Sequence, residues 1–327
     1  MYQIKQNPVV KKLGFNRIVL SMVLIAMYCF FAIFAKNFVS YNRILSALNY
    51  AYFLGFLALG VTFVIATGGI DFSIGPVMFC AAIMSGYLLT HYNWPLWICL
   101  IASIAIGALF GTFNGYLVAY KNVPPFITSM AIMQISKGVA SVFTKAQSVS
   151  WPQLAHENGW YRNLIRVRVG NMYFPVGLVI LLITAIICAI VLNKTKMGRY
   201  FLTLGSNKEA LRLSGVRVRK WQMLAYTICG LLAGVAAIFF VAAYTTVQPG
   251  YGDQYNNEAI AGCVMGGTSM AGGLASIGGT FIGGMIISIL QEGILAIGLN
   301  KNYQLVITGI IVIVAVYLDV LSRKRRV

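Results

Sequence analysis

Apolar runs about as long as a membrane is thick follow one another along this chain, separated by short polar gaps. A hydrocarbon core of ~30 Å needs about 20 apolar residues per helix. On that ruler the pattern predicts spans at Ile18–Ala35, Ile44–Thr67, Ile74–Tyr92, Pro95–Tyr120, Phe126–Thr144, Phe174–Leu192, Met223–Ala243, Ala259–Gly267, Ile277–Ile297 and Leu305–Leu321. The eighth is short and is expected to cross as a broken helix whose irregular ends are buried in protein. Glycines recur at four-residue spacing as Gly107, Gly111 and Gly115, then Gly230 and Gly234, Gly262 and Gly266, Gly279 and Gly283. This small-xxx-small pattern predicts close packing between helices of one bundle, with a dimer face as the alternative.

The longest polar interruption is Lys194–Lys220, whose charge keeps it outside the hydrocarbon. Within it, Asn207–Leu213 is rich in helix formers, with Gly205-Ser206 ahead as an N-terminal cap and Ser214-Gly215 behind as a stop. A short helix lying outside the membrane is expected, suited to carry a push from a separate motor into the membrane body. An ordinary basic loop is the plainer reading.

Composition agrees with a membrane protein. Hydrophobic residues make up 59% of the chain and charged residues 10%, and mean hydropathy is +0.79, outside soluble globular usage. The net charge of +18 sits in the gaps between spans and forms no basic, aromatic-interleaved face, so it points to lipid headgroups and orientation rather than nucleic acid. Lys5, Lys11, Lys12 and Arg17 precede the first span without a clear cleavage site after it, so that span is expected to be retained. With ten crossings and a cytoplasmic N-terminus, 17 Lys and Arg fall on the inner side and 7 on the outer, Lys137 lying within a span. The C-terminal Arg323–Arg326 run then lies inside as well, which requires Ala259–Gly267 to cross. The expected architecture is an all-α, polytopic, single transmembrane domain over residues 1–327, with a cytoplasmic loop at 194–220 and an extracytoplasmic loop at 145–173. Cys29, Cys80, Cys99, Cys188, Cys229 and Cys263 fall singly in apolar segments and read as packing residues.

Only seven acidic residues exist. Asp71, after the Gly68-Gly69 turn, stands with Ser73 where either can cap the third span, or where turn and cap together form an inner gate. Gly266-Gly267 echoes that turn: Ala66–Gly75 and Val264–Gly273 each place a Gly-Gly after an apolar span, the kind of internal repeat common in transporters. Glu258 is expected to cap the short span, and Glu292, inside the ninth, to face the bundle interior or water. The fifth span is the most polar; its Gln134 and Lys137, with Asn49 and Thr62 of the second, are candidates to line a solute path. Snorkelling is the plainer reading for Lys137. In the outer loop Arg162, Arg166 and Arg168 oppose the positive-inside trend beside Trp151, Trp160 and Tyr161, which suggests a docking surface for an acidic soluble partner or an interfacial anchor. His91 and His156 lack partners for a metal site. No GxxxxGK[ST] loop is present, so ATP hydrolysis by this chain is not expected, and no HExxH or GxSxG motif argues for an enzyme.

Four stretches, Ala58–Pro76, Asn122–Gly138, Met197–Val216 and Asn257–Gly284, resemble in order the membrane permease subunit of ribose-type ABC importers, a family that also serves xylose, arabinose and galactose. The resemblance implies a subunit of about ten helices in the bacterial inner membrane, paired with a second copy or a paralogue. It also implies cytoplasmic ATPase subunits that hold ATP and Mg, and an extracytoplasmic sugar-binding protein. Gly205, Asn207, Glu209, Ala210, Ser214 and Gly215 would then form the coupling segment, and Gly68–Asp71 the family's most recognisable turn. Phe72, Pro76 and Glu258 depart from the usual residues. An ion-coupled carrier is the alternative and would need a titratable acid near the solute, for which Glu292 is the candidate.

Overall fold

The computed structural model describes residues 15–170 and 172–324. Lys5, Lys11, Lys12, Arg325 and Arg326 of the basic termini lie outside them. The chain is mostly helical: α1 (Phe15–Phe34), α2 (Tyr41–Ala66), α3 (Ile74–His91), α4 (Leu96–Tyr120), α5 (Pro125–Phe143), α6 (Val176–Lys194), α7 (Lys196–Ser206), α8 (Lys208–Leu213), α9 (Val218–Tyr244), α10 (Asp253–Met265), α11 (Ile277–Ala296) and α12 (Lys301–Lys324). The all-α expectation needs a correction at one end, where two two-stranded sheets form: β1 (Val149–Ser150) pairs with β4 (Thr246–Val247), and β2 (Val167–Val169) with β3 (Met172–Phe174). Both pairs are antiparallel and lie in polar connections, where backbone groups freed from helix need partners.

Among the described residues seven helices, α2–α6, α9 and α11, are long and apolar enough to cross a membrane. The apolar parts of α1 and α12 are shorter, Ile18–Phe34 and Asn302–Val314. Helix α10 starts at Asp253, six residues before the expected span. Its 13 residues rise about 20 Å, and its first two turns are polar. It carries the chain from β4 at the strand-bearing end to the turn at Gly266–Gly267, after which Gly272 and Gly273 lie against α7. Helix α9 also begins early, at Val218, because Arg217 and the basic residues after it extend the helix beyond its apolar part.

Helix α2 forms the centre: every residue from Tyr50 to Ala66 is buried. Helices α3, α9, α10 and α11 pack around it, while α4, α5 and α6 turn large apolar residues such as Trp97, Leu109, Ile127, Val142, Ile183 and Ile187 outward. A water-soluble fold would not display such a surface; hydrocarbon accepts it.

Lipid tails are as apolar as leucine, so the helices gain their association from close packing rather than from apolar burial. The glycine ladders supply it inside the bundle, as the pattern predicts. A Cβ on Gly107 would lie 2.3 Å from the Gly230 carbonyl oxygen, which locks α4 onto α9, and one on Gly283 would lie 2.0 Å from the Gly262 oxygen, which locks α11 onto α10. Five of the six cysteines are buried and all are unpaired.

Candidate functional site

The Gly68-Gly69 turn meets the second glycine pair of the echoing stretch, Gly272-Gly273, and not Gly266-Gly267. The Gly273 amide donates to the Ala66 carbonyl at 3.0 Å, and the C-terminal end of α7 wedges between the two turns. A Cβ at Gly205 would lie 2.2 Å from the Ala66 oxygen and 2.4 Å from the Gly273 nitrogen. At Gly272, where φ is +82°, a Cβ would lie 2.7 Å from the Gly68 nitrogen and 2.8 Å from Gly205 Cα. Backbone touches backbone on all three sides, which only glycine permits. Gly68 belongs to this junction. Gly69 packs on Tyr226, Gly266 on Gly279, and Gly267 holds a turn at φ +89°.

Asp71 does not cap α3. It accepts hydrogen bonds from the Ser73 amide (2.9 Å) and hydroxyl (2.6 Å), an Asx turn that leads the chain from the junction toward Asn256. Asn256 accepts from the Gly75 amide at 2.7 Å and donates to the Phe72 carbonyl at 2.6 Å. The glycine-rich turn before α3 is thereby fastened to the start of α10, a partnership with no signal in the sequence.

One residue, Asn207, separates α7 from α8. Asn207, not Ser206, caps that helix, its side chain accepting from the Ala210 amide at 2.9 Å. Gly205 and Ser206 instead close α7, an 11-residue helix that the charge pattern hid inside a loop. Its apolar side, Phe201 and Leu204, is buried, with Leu204 packed beside Leu211 and Val218. Gly215, at φ +79°, ends α8 as expected. Asn207, Glu209, Ala210, Ser214 and Gly215 are exposed together, whereas Gly205 is spent on the junction. The Arg212 guanidinium, donating to Glu209 at 3.0 Å, holds the Glu209 carboxyl below its usual range. Leu213, 74% exposed, offers an apolar contact at the tip of α8 that a search for polar residues passes over.

Of the four path candidates, the structure brings two together. Gln134 is exposed on α5, and one turn along, Lys137 is ion-paired to the Asp253 carboxylate at the start of α10. Asn257, exposed on the next turn of α10, continues this polar stripe. Thr62 stands apart, fully enclosed and bonded to Ala58, Cys263 and Thr280. Asn49 is half-buried on α2. Glu258 does not cap the short helix: it sits in the second turn of α10, 1% exposed, accepting from the Tyr50 hydroxyl and from Gln304. Glu292 pairs with Arg43 at 2.7 Å, so the acid that a carrier mechanism would have used is held by a guanidinium.

At the strand-bearing end, Trp151 and Tyr161 are buried rather than interfacial, the indole donating to the Ala82 carbonyl at 3.1 Å and the phenol to the Pro152 carbonyl at 3.0 Å. Trp160 remains exposed. Arg162, Arg166 and Arg168 line one cavity of about 410 Å³ with Gln153 and Tyr173. Arg162 donates to the Ala242 carbonyl at 3.2 Å, and Arg166 lies over the Tyr173 ring at 4.9 Å. Among the described residues no group of acids, histidines and cysteines is arranged to hold a metal ion.

Residues 43–316 match the family model described as branched-chain amino acid transport system / permease component. The ribose import permease protein RbsC of Escherichia coli strain K12 is 32% identical over 91% of this chain and 92% of that protein. The RbsC of Bacillus subtilis strain 168 is 32% identical over 88% of each. The fructose import permease protein FrcC of Rhizobium meliloti is 28% identical over 93% of this chain and 85% of its own length. In fold, the chain is similar to an inward-facing ABC transporter of metal-chelate type, with a TM-score of 0.51 at 15% identity over 92% of this chain and 98% of that one. With a membrane-crossing helical body and a family match over most of its length, the chain belongs to the permease-component family of ABC transport systems.

Proposed function

We propose that this chain is the membrane permease subunit of an ABC importer for a small sugar, working in the bacterial inner membrane as one of a pair. Its ribose- and fructose-importing relatives support the substrate class. Separate ATPase subunits, which hold ATP and Mg, supply the energy, and an extracytoplasmic binding protein delivers the sugar. Ten crossings place both termini and the basic 194–220 loop in the cytosol, in keeping with the excess of Lys and Arg on that side.

The observation that carries the mechanism is the packed glycine junction. Helix α8 is the coupling helix, and Asn207, Glu209, Ala210, Ser214 and Gly215 face the ATPase. A displacement of α8 passes through Gly205 into the Gly68-Gly69 and Gly272-Gly273 turns, because backbones in contact on three sides have no slack to absorb it. These turns lie in the α2–α3 and α10–α11 connections, so the push reaches the helices around the solute path. Gln134, Lys137, Asp253 and Asn257 form one bank of that path and the second permease copy the other; exposed to lipid, these polar groups would be costly. Arg162, Arg166 and Arg168 receive an acidic surface of the loaded binding protein, and the two states are biased by ATP on one side and the receptor on the other.

Reconstitution in liposomes tests the reading. Sugar uptake by the permease with its ATPase and binding protein, and none by the permease alone under a proton or sodium gradient, is the expected result. Gradient-driven uptake by the isolated chain would reverse it.

A further inference from the structure

The polar stripe continues past Asn257 into a cavity between α10 and α12. Its volume is about 240 Å³, and Gln254, Asn257, Glu258 and Thr308 line it together with Gly309 and the apolar Leu305 and Val312. Glu258 is held in place from behind by the Tyr50 hydroxyl and by the Gln304 amide nitrogen at 2.9 Å. The Gln304 Oε1 and Thr308 Oγ1 atoms, on residues 1% and 3% exposed, have no hydrogen-bond partner among the described residues. Buried polar groups at membrane depth are satisfied by something, and an acyl chain cannot do it.

Resting on the reading of the chain as a sugar permease subunit, we infer that this cavity is a transit site for a neutral, hydroxyl-rich solute. The Thr308 hydroxyl, which can donate or accept, lines it beside Glu258, and Leu305 and Val312 give it an apolar wall on which the C–H face of such a solute can lie. The amides of Gln254 and Asn257 at its rim supply donors and acceptors to a second set of hydroxyls. A bare cation is too small for the space, since a single water already fits in roughly 10–15 Å³, and amide N–H groups at the rim oppose it. A carboxylate or phosphate on the solute finds no cationic side chain in the lining. The neighbouring Lys137–Asp253 pair cancels its own charge and leaves the stripe neutral. Gly309 leaves the cavity open, because a Cβ there meets nothing within 4 Å.

The open position at Gly309 is also the handle for the test. In the assembled transporter, with Cys29 replaced by Ser, Gly309→Cys is labelled with a charged methanethiosulfonate in the presence and absence of saturating ribose or fructose and loaded binding protein. The transported sugar is expected to slow labelling, and the attached group to block uptake. In parallel, Thr308→Val is expected to lower sugar moved per ATP hydrolysed about three- to tenfold, the worth of one hydrogen bond, and Thr308→Ser to restore it. Labelling that is indifferent to sugar, together with an unchanged sugar-to-ATP ratio in Thr308→Val, overturns the transit site while wild-type uptake leaves the permease reading standing. A thiol sealed from the reagent in the assembly overturns it in favour of a protein or lipid contact. Failure of the wild-type assembly to move either sugar removes the permease reading and the transit site with it.

Discussion

The Gly273 amide reaches across 3.0 Å to the carbonyl of Ala66, and this bond joins turns more than two hundred residues apart in the chain. Because the end of α7 sits between them with Gly205 pressed on both, added bulk there has nowhere to go. Gly205→Ala is expected to strain the junction by about 1–3 kcal/mol and to abolish coupled uptake while the ATPase subunits still bind and hydrolyse ATP. Simultaneous measurement of uptake and hydrolysis in proteoliposomes checks this; normal coupling in Gly205→Ala would show that force takes another route.

Gly111 tests the packing of the body. A Cβ there would lie 2.4 Å from the Tyr226 carbonyl oxygen, so Gly111→Val must part α4 from α9 or bend one of them. A loss of about 3 kcal/mol or more is expected, read as a fall in melting temperature in detergent. The equivalent change at Gly138, whose Cβ meets nothing within 4 Å, serves as the control and is expected to melt as wild type.

Arg43 and Glu292 form a partly exposed pair, so its worth falls below that of a fully buried one. Glu292→Gln removes the acid and is expected to leave ATP-driven uptake within about tenfold of wild type, a barrier change under ~1.4 kcal/mol. Uptake that became independent of a proton gradient only in this variant would revive the ion-coupled carrier.

At α8 the sign of a pH effect follows from the ion pair. Glu209 has its folded carboxyl held below the usual range by Arg212, so its contribution to α8 is present above the unfolded value and is lost as pH falls through the folded one. Association of the ATPase subunits is expected to weaken on acidification through that window, and the weakening to be smaller in Glu209→Gln. Both groups are fully exposed, so added salt should mimic the acid effect. Surface plasmon resonance between the permease in nanodiscs and its ATPase measures both dependences.

Outside, Arg168 is the cleaner probe of receptor docking. Arg162 also supports the Ala242 carbonyl, so reversing its charge disturbs the loop, whereas Arg168 bonds only locally, to the Gly170 carbonyl at 3.1 Å. Arg168→Glu is expected to slow receptor association at low salt and to matter little at high salt; equal affinity at every ionic strength would argue for an interfacial anchor.

Hydropathy by itself determined the membrane body, because every crossing must satisfy its backbone internally and clothe it in apolar side chains, which writes each long helix into local sequence. The glycine spacing likewise announced close packing inside the bundle, since close approach requires small residues at every turn, while the pairing of α4 with α9 and of α10 with α11 came from the fold. Helix α7 was hidden because its amphipathic pattern lies within a charged stretch, and the early start of α10 because polar residues in its first turns face a cavity rather than water. Only the tertiary structure decided which polar residues share a site. Lys137 with Asp253, Asn256 with the start of α3, and Glu258 with Tyr50 and Gln304 are partnerships between helices distant in sequence, and a charge carries no mark of the partner that neutralises it. The meeting of the Gly68 and Gly272-Gly273 turns at Gly205 belongs to the same class: repetition along the chain points to related stretches, but which of their glycines touch depends on how the helices that carry them pack.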